Sequence, residues 1–413
     1  MADQPNKILA DHDLRPAYYD QFQCLASGCR FTCCKGWRIA FNKKDYLSLK
    51  RLEGSPELNE SMKKTLRRTK GDALSNELYG EFALNGGYCP LQREDGLCSL
   101  QLEKGHTALP FVCRNFPRAE SYQPSGFYER SLSPACEGVL ELLWNLPEGL
   151  DFCSDPLPKP LVKTFVYLDN TPLAPHFQDI RSQCIDFLQD RRFPLPQRIF
   201  LMGAALRELA DGEKDMDHWL TRARTMLELP GAGTALRQVE TDKSLTMCLS
   251  SNIKVLLSLT EPGSDFEAVP QELLQALNVR TEESSGRTSF LVGPAPYLAA
   301  RARFARNFQD RDYFMENLMV LLFFHLHLPS SVSAGELWKS YVNFCSLYSF
   351  YRFMAVMSCR EGAAGDKAEL FRLMVCASRG LIHNHTRQDR LRDELFQNDS
   401  STLAHMAILL GGA

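Results

Sequence analysis

From about residue 174 onward, apolar positions recur every three or four residues with polar positions between them. FQDIRSQCIDFLQD, LPQRIFLMGAALRELADG and DMDHWLTRARTMLELPG each carry this spacing and stop near Gly or Asp, as amphipathic helices do. DKSLTMCLSSNIKVLLSL, RDYFMENLMVLLFFHLHLP, SAGELWKSYVNFCSLYSFYRFMAVMSCR and KAELFRLMVCASRGLIHNH continue it, so residues 174–413 are predicted to form an α-helical domain. Residues 259–298 keep the pattern least and are predicted to be a loop or excursion. The first 150 residues read differently. Short helices are predicted at 43–52 and 56–68, and strands at 77–85 and 126–133. A helix follows Cys136, with Val139, Leu140, Leu142 and Leu143 on its apolar side. Prolines 156, 158, 160, 172 and 175 interrupt helices, so 151–173 reads as a connector. The predicted fold is mainly α: a cysteine-rich module over 1–150 with a few short strands, then a helical domain.

Composition changes this picture only through cysteine. The chain is 44% hydrophobic and 23% charged, ordinary values for a globular protein. Its net charge of −3 gives no global reason to bind nucleic acid or an anionic membrane. MADQPNKILADHDLR has no apolar signal region, and the longest apolar run, LMVLLFF before His325, is too short to cross a bilayer. A cytoplasmic protein without nucleic-acid or membrane partners is expected. Of its fourteen cysteines, eight fall between Cys24 and Cys136. In a reducing compartment such a cluster points to metal binding or catalysis rather than to disulfides.

Spacing narrows the chemistry. Cys24 and Cys29 enclose four residues, Cys29 and Cys33 three, and Cys34 follows at once. Cys89 and Cys98 enclose eight, and Cys113 stands in FVCRNFPR. Thiolates suit both zinc and iron–sulfur clusters. The second group is too widely spaced for a zinc knuckle, whereas iron–sulfur sites gather ligands from distant loops. The metal candidates are therefore Cys24, Cys29, Cys33, Cys34, Cys89, Cys98 and Cys113, with Cys136 the weaker eighth. Cys153, Cys184, Cys248, Cys345, Cys359 and Cys376 stand singly and are expected to be core thiols. Phe31, Trp37, Phe111 and Phe116 are candidates to shield the site, and Arg30, Lys35, Arg114 and Arg118 to balance its charge.

Other candidates read as structure. LELPGAGTALRQ, with Gly231 and Gly233, suits a turn between helices better than a cofactor loop. Glu94, Asp95, Glu129, Tyr18, Tyr19 and Tyr128 are possible bases without a distinguishing pattern. His325 and His327, like His383 and His385, stand two apart, a poor chelating interval on a helix.

FQCLASGCRFTCCKGWRI, CPLQREDGLCSLQLEKG, FVCRNFPR and FYERSLSPACEGVLELL, in that order, resemble the flagellin lysine-N-methylase (FliB-type) family. TCC-x-GW and CR-x-FPR also resemble a wider set of zinc- or iron-chelating cysteine proteins. The resemblance is densest over 20–146; downstream, YFMENLMVLLFF and RGLIHNH are similar to the family's helical half. It implies methyl transfer from S-adenosylmethionine to flagellin lysine ε-amines and a [4Fe–4S] cluster on the N-terminal cysteines, zinc being the alternative. The radical S-adenosylmethionine cysteine spacing is absent, since position 36 is Gly. A competing reading is a metal-binding or redox module with a partner-binding helical domain and no transferase activity.

Overall fold

Helix starts in the first part of the chain follow local chemistry. The Asn42 side chain accepts from the Asp45 amide and opens α1 (Lys43–Lys50). Ser55 accepts from the Leu58 amide ahead of Pro56, opening α2 (Pro56–Thr65). The helix predicted to reach residue 68 ends earlier, and the chain turns into a strand, β3 (Leu66–Arg68). That strand pairs with β4 (Gly80–Phe82), whose other edge takes β2 (Ile39–Phe41). The three form a small antiparallel sheet.

The computed structural model describes residues 12–69, 76, 78–122, 128–156, 173–212, 215–228, 236, 241–259, 266–284, 287–329, 333–382, 395–396 and 400–411. In it the chain is mainly helical, with most strands in the first part. A second sheet joins β5 (Arg118–Tyr122), β6 (Tyr128–Leu132), β1 (Asp13–Pro16) and β7 (Phe152–Cys153) in that order. β1 runs parallel to β6 and antiparallel to β7. Neither β1 nor β7 is predicted from periodicity, because both are too short to alternate. Most of the predicted connector lies outside the described residues, as do Gly231, Gly233, His383 and His385.

Short helices α3 (Ser99–Lys104) and α4 (Phe111–Asn115) precede β5, and α5 (Glu137–Trp144) follows Cys136 as expected. Downstream lie α6 (Phe177–Gln189), α7 (Leu195–Ala210), α8 (Met216–Met226), α9 (Asp242–Ser258) and α10 (Val269–Ala276). They continue with α11 (Ala295–Asn307), α12 (Asp312–His325), α13 (Ala334–Met357), α14 (Lys367–Ile382) and a helix at Leu403–Gly411. The weakly patterned stretch holds α10 and a hairpin, β8 (Arg280–Ser284) with β9 (Arg287–Leu291), so the second part is not purely helical. α7 and α13 pack closely because Gly203 has no Cβ; one built there would sit 2.0 Å from Tyr341 Cζ.

Burial separates two apolar cores. The larger runs from Tyr18, Tyr19, Phe22 and the α5 residues Val139, Leu140 and Leu143 through the helices to Leu410. The smaller holds Ile39, Phe41, Leu49, Leu58, Met62, Phe82, Cys89, Leu91, Leu100 and Leu109. Cys34, Trp37, Cys98 and Cys113 pack on the smaller core, whereas Phe31 and Cys136 pack on the larger. The cysteine loop therefore lies along the seam between them.

Candidate functional site

Backbone pairing brings the first two cysteine groups together. The Cys34 carbonyl accepts from the Cys89 amide at 2.8 Å, and the Gly36 amide donates to the Gly87 carbonyl at 3.0 Å. Gly36 and Gly87 both take positive φ, 77° and 82°, which allows these tight reversals. The Trp37 indole donates to the Cys33 carbonyl at 2.5 Å, and Gln92 donates to Thr32 Oγ1 at 2.9 Å. Cys98 heads α3. Cys113 rides on α4, whose first amide, Phe111, donates to Asp45 at 2.8 Å.

All fourteen cysteines are described residues and free thiols. Cys33 shares a hydrogen bond with Cys34, and this bond, followed by burial, pushes its thiol well up. Cys113, pushed up by burial, lies within electrostatic reach of Cys33, Cys89 and Cys98. Burial also raises Cys98, and raises Cys89 to about 11. Cys29 and Cys136 are each pushed up to about 12, again chiefly by burial. Cys136 feels both Cys33 and Cys24, and Cys29 feels Cys136. The candidates thus fall into two neighbourhoods: Cys34, Cys89, Cys98 and Cys113 around Cys33 on one side, and Cys24, Cys29 and Cys136 at the start of α5 on the other.

Among the described residues, no three His, Cys, Asp or Glu side chains already close on one point as a metal site. The donor set still fits a soft metal in kind: several part-buried thiols, protonated and mutually repelling once ionised, gather from separate loops. Binding a cation there would require the thiols to turn inward and release protons.

Two charged side chains hold the first loop. Glu137, 1% exposed at the start of α5, accepts the Arg30 amide at 2.6 Å and the Phe31 amide at 3.3 Å, and pairs with Arg30 Nε at 2.5 Å. Arg379 of α14, 8% exposed, donates to the Phe31 carbonyl at 2.5 Å. It also donates to the carbonyls of Lys35 and Ala135, each at 3.4 Å. Its charge favours the thiolate form of Cys33. The predicted charge-balancing cations have other work. Arg30 pairs with Glu137, Lys35 lies over the Tyr88 ring, Arg114 bonds the Thr107 and Leu109 carbonyls, and Arg118 lies over Tyr19 and Phe22. Sequence reasoning missed Arg379, and its only signal was the RGLIHNH stretch. Of the predicted shields, Trp37 packs on Phe116 at 5.4 Å between centroids and Phe31 on Phe266 at 6.4 Å.

A second polar centre lies where β6 meets α12. Glu129 and Arg181, each 1% exposed, form an ion pair, and Arg181 also donates to the Phe324 carbonyl at 2.8 Å. His327 Nδ1 stands 3.0 Å from Glu129, and His325 Nδ1 2.8 Å from Ser131 Oγ. Two residues apart, the histidines were expected to diverge, yet both meet β6. α12 ends at His325, and His327 takes φ +53°, which returns its ring to the strand. Arg181 also borders a cavity of about 230 Å³ with Leu150, Phe152, Asp186, Gln189 and Phe324. Asp95 serves its turn, accepting the Leu97 amide and pairing with Arg93, and Tyr18 and Tyr19 are core residues.

Comparison with known proteins matches residues 181–409, more than half of the chain, to the model of the FliB lysine N-methylase C-terminal domain family. A protein named lysine-N-methylase from Salmonella typhimurium is 34% identical over 145 residues, 33% of each chain. Its namesake from Salmonella choleraesuis is 34% identical over 142 residues, again 33% of each. The flagellar biosynthetic protein FliU of Salmonella muenchen is 33% identical over 145 residues, 33% of this chain and 78% of that one. The match thus spans only a third of the two lysine-N-methylases. No solved structure matches the chain.

Proposed function

The chain belongs to the FliB lysine N-methylase family, and on that premise we propose that it methylates lysine ε-amino groups of flagellin with S-adenosylmethionine as donor. The observation that carries this reading is the family match across the helical half, supported by relatives whose names state lysine methylation and flagellar biosynthesis. We also propose that its cysteine loops hold a [4Fe–4S] cluster, with zinc as the alternative. Cys33, Cys34, Cys89, Cys98 and Cys113 are the nearer set of ligands, and Cys24, Cys29 and Cys136 the second. Bound there, the metal group would supply Lewis-acid or one-electron chemistry. The chain's own part is to carry those thiols on loops fixed by Glu137, Trp37 and Arg379.

A lysine ammonium ion, with a pKa near 10.4, must lose its proton before its nitrogen attacks a sulfonium methyl. The site therefore has to desolvate the amine, so that its proton is lost to water, or supply a base that takes the proton, and has to align the nitrogen with the donor. The direct test incubates anaerobically purified protein with flagellin and isotopically labelled S-adenosylmethionine and reads lysine methylation by mass spectrometry. Labelled methyl-lysine supports the enzyme. A metal signal without transfer overturns it in favour of a metal or redox module.

A further inference from the structure

The thiol candidates lie at the seam between the two cores, and one residue of the helical half reaches into that seam. Arg379 follows the buried Ser378 on α14 and is itself buried. Next to it, Gly380 lets the helix lie against Leu259; a Cβ there would meet Leu259 Cδ2 at 2.6 Å. The guanidinium plane spreads its three nitrogens over three carbonyls: Phe31 and Lys35, which flank Cys33 and Cys34, and Ala135, which precedes Cys136. Its Cζ lies 5.5 Å from the Phe266 ring centroid, and that ring packs on Phe31. A single rigid fork thus ties both thiol neighbourhoods to the helical half.

Glu137 completes the arrangement from a second helix. It takes the amide hydrogens of Arg30 and Phe31, while Arg379 takes the Phe31 and Lys35 carbonyls. The loop's donors and acceptors are thus satisfied by opposite charges on different helices. A lysine could not do the same, because its ammonium is a point donor on a flexible stem and cannot span three divergent carbonyls.

We infer that Arg379 is the positioning residue of the cysteine site: it sets the spacing of the Cys33–Cys34 and Cys136 segments and supplies a buried positive charge beside them. This rests on the reading of the thiols as a metal site.

The test uses full-length Arg379→Met and Arg379→Lys proteins with two readouts. The first is hydrogen exchange of the metal-free chain, followed in peptides covering 29–37. Exchange there should speed about tenfold or more in both variants, while peptides from α12 keep the wild-type rate. The second is zinc affinity by chelator competition. It should weaken about 10- to 100-fold in Arg379→Met, the usual effect of removing a group that holds metal ligands in place, and less in Arg379→Lys, which keeps the charge. Wild-type exchange and affinity in Arg379→Met overturn the inference. If Arg379→Met does not fold, Arg379→Lys decides alone, and wild-type exchange over 29–37 in it overturns the inference. If the wild-type chain binds no zinc and no iron, the metal reading falls, and the exchange readout still decides whether Arg379 positions the loop.

Discussion

Replacing Glu137 tests the loop independently of Arg379, and two substitutions separate its charge from its shape. Glu137→Gln keeps an oxygen where the Arg30 and Phe31 amides donate, but removes the charge and faces Arg30 Nε with an amide NH2. Arg30 is 43% exposed on its side chain and can turn to water, so its lost ion pair costs little. Losing the charge assistance on two amide bonds costs about 1–2 kcal/mol. Glu137→Ala removes both acceptors. A bond to a charged acceptor contributes about 1.5–3 kcal/mol, and the 3.3 Å bond from Phe31 belongs near the bottom of that range, giving a total of about 3–4.5 kcal/mol. At a factor of ten per ~1.4 kcal/mol, loop opening becomes about 5- to 30-fold easier in Glu137→Gln and about 100- to 1,500-fold easier in Glu137→Ala. Hydrogen exchange of peptides over 29–37 measures this locally, with peptides from α9 as the internal reference. Equal rates in the two variants, or wild-type rates in Glu137→Ala, would refute the claim that the carboxylate holds the loop.

Three further outcomes follow from the packing. Gly203→Ala should lower the urea midpoint. The clash with Tyr341 costs about 1–3 kcal/mol or more, against ~1 kcal/mol gained in helix propensity, and a raised midpoint would sink the close-contact account of α7 and α13. Glu129→Gln should destabilise by about 3–5 kcal/mol, because it leaves the Arg181 charge buried without its counterion; a loss below ~1 kcal/mol, read from urea unfolding, would show that the pair is dispensable. Stability should also fall in alkali. Burial pushes Cys248 from 9.0 up to about 11, so its contribution is whole below pH 9 and is lost as pH rises through 9 to 11. Two pKa units correspond to about 3 kcal/mol, and Cys248→Ala should show a shallower decline in urea midpoint between pH 9 and 11.

Elements with local causes were legible in the sequence. α1, α2 and α5 begin beside an N-cap side chain or a cysteine that the sequence displays, and the long helices repeat apolar residues often enough to be counted. β1 and β7 were not legible, because their pairing joins Arg15 to Cys153 across most of the first part, and two or four residues carry no period. The hairpin at 280–291 was hidden for a related reason: Arg280, Thr281 and Glu282 show no apolar face, so its order comes from cross-strand bonds. At the candidate site the cysteines were visible by residue type. Their division into two neighbourhoods was not, since it depends on which core each segment packs against. The part played by Arg379 was hidden for the same reason. Arg30, Lys35, Arg114 and Arg118 are near in sequence, but a further cation beside Cys33 comes from some 344 residues beyond Lys35.

The two parts of the chain depend on each other. The family match begins at Arg181, whereas every metal candidate lies before Glu137. Buried polar contacts nevertheless cross between these regions. Arg181 pairs with Glu129, Asn317 donates to the Leu143 and Leu146 carbonyls at 3.2 and 2.7 Å, and Arg379 holds the Phe31 carbonyl. Each joins a group that would lie unpaired in an apolar setting if the partner region moved away, a cost of several kcal/mol for the charged ones. The apolar residues agree, because Leu132, Val139, Leu140 and Leu143 share one core with α6, α12 and α14. The helical half is therefore part of the cysteine site's support, and a substitution on α14 reaches the thiols through one guanidinium rather than through diffuse loss of stability.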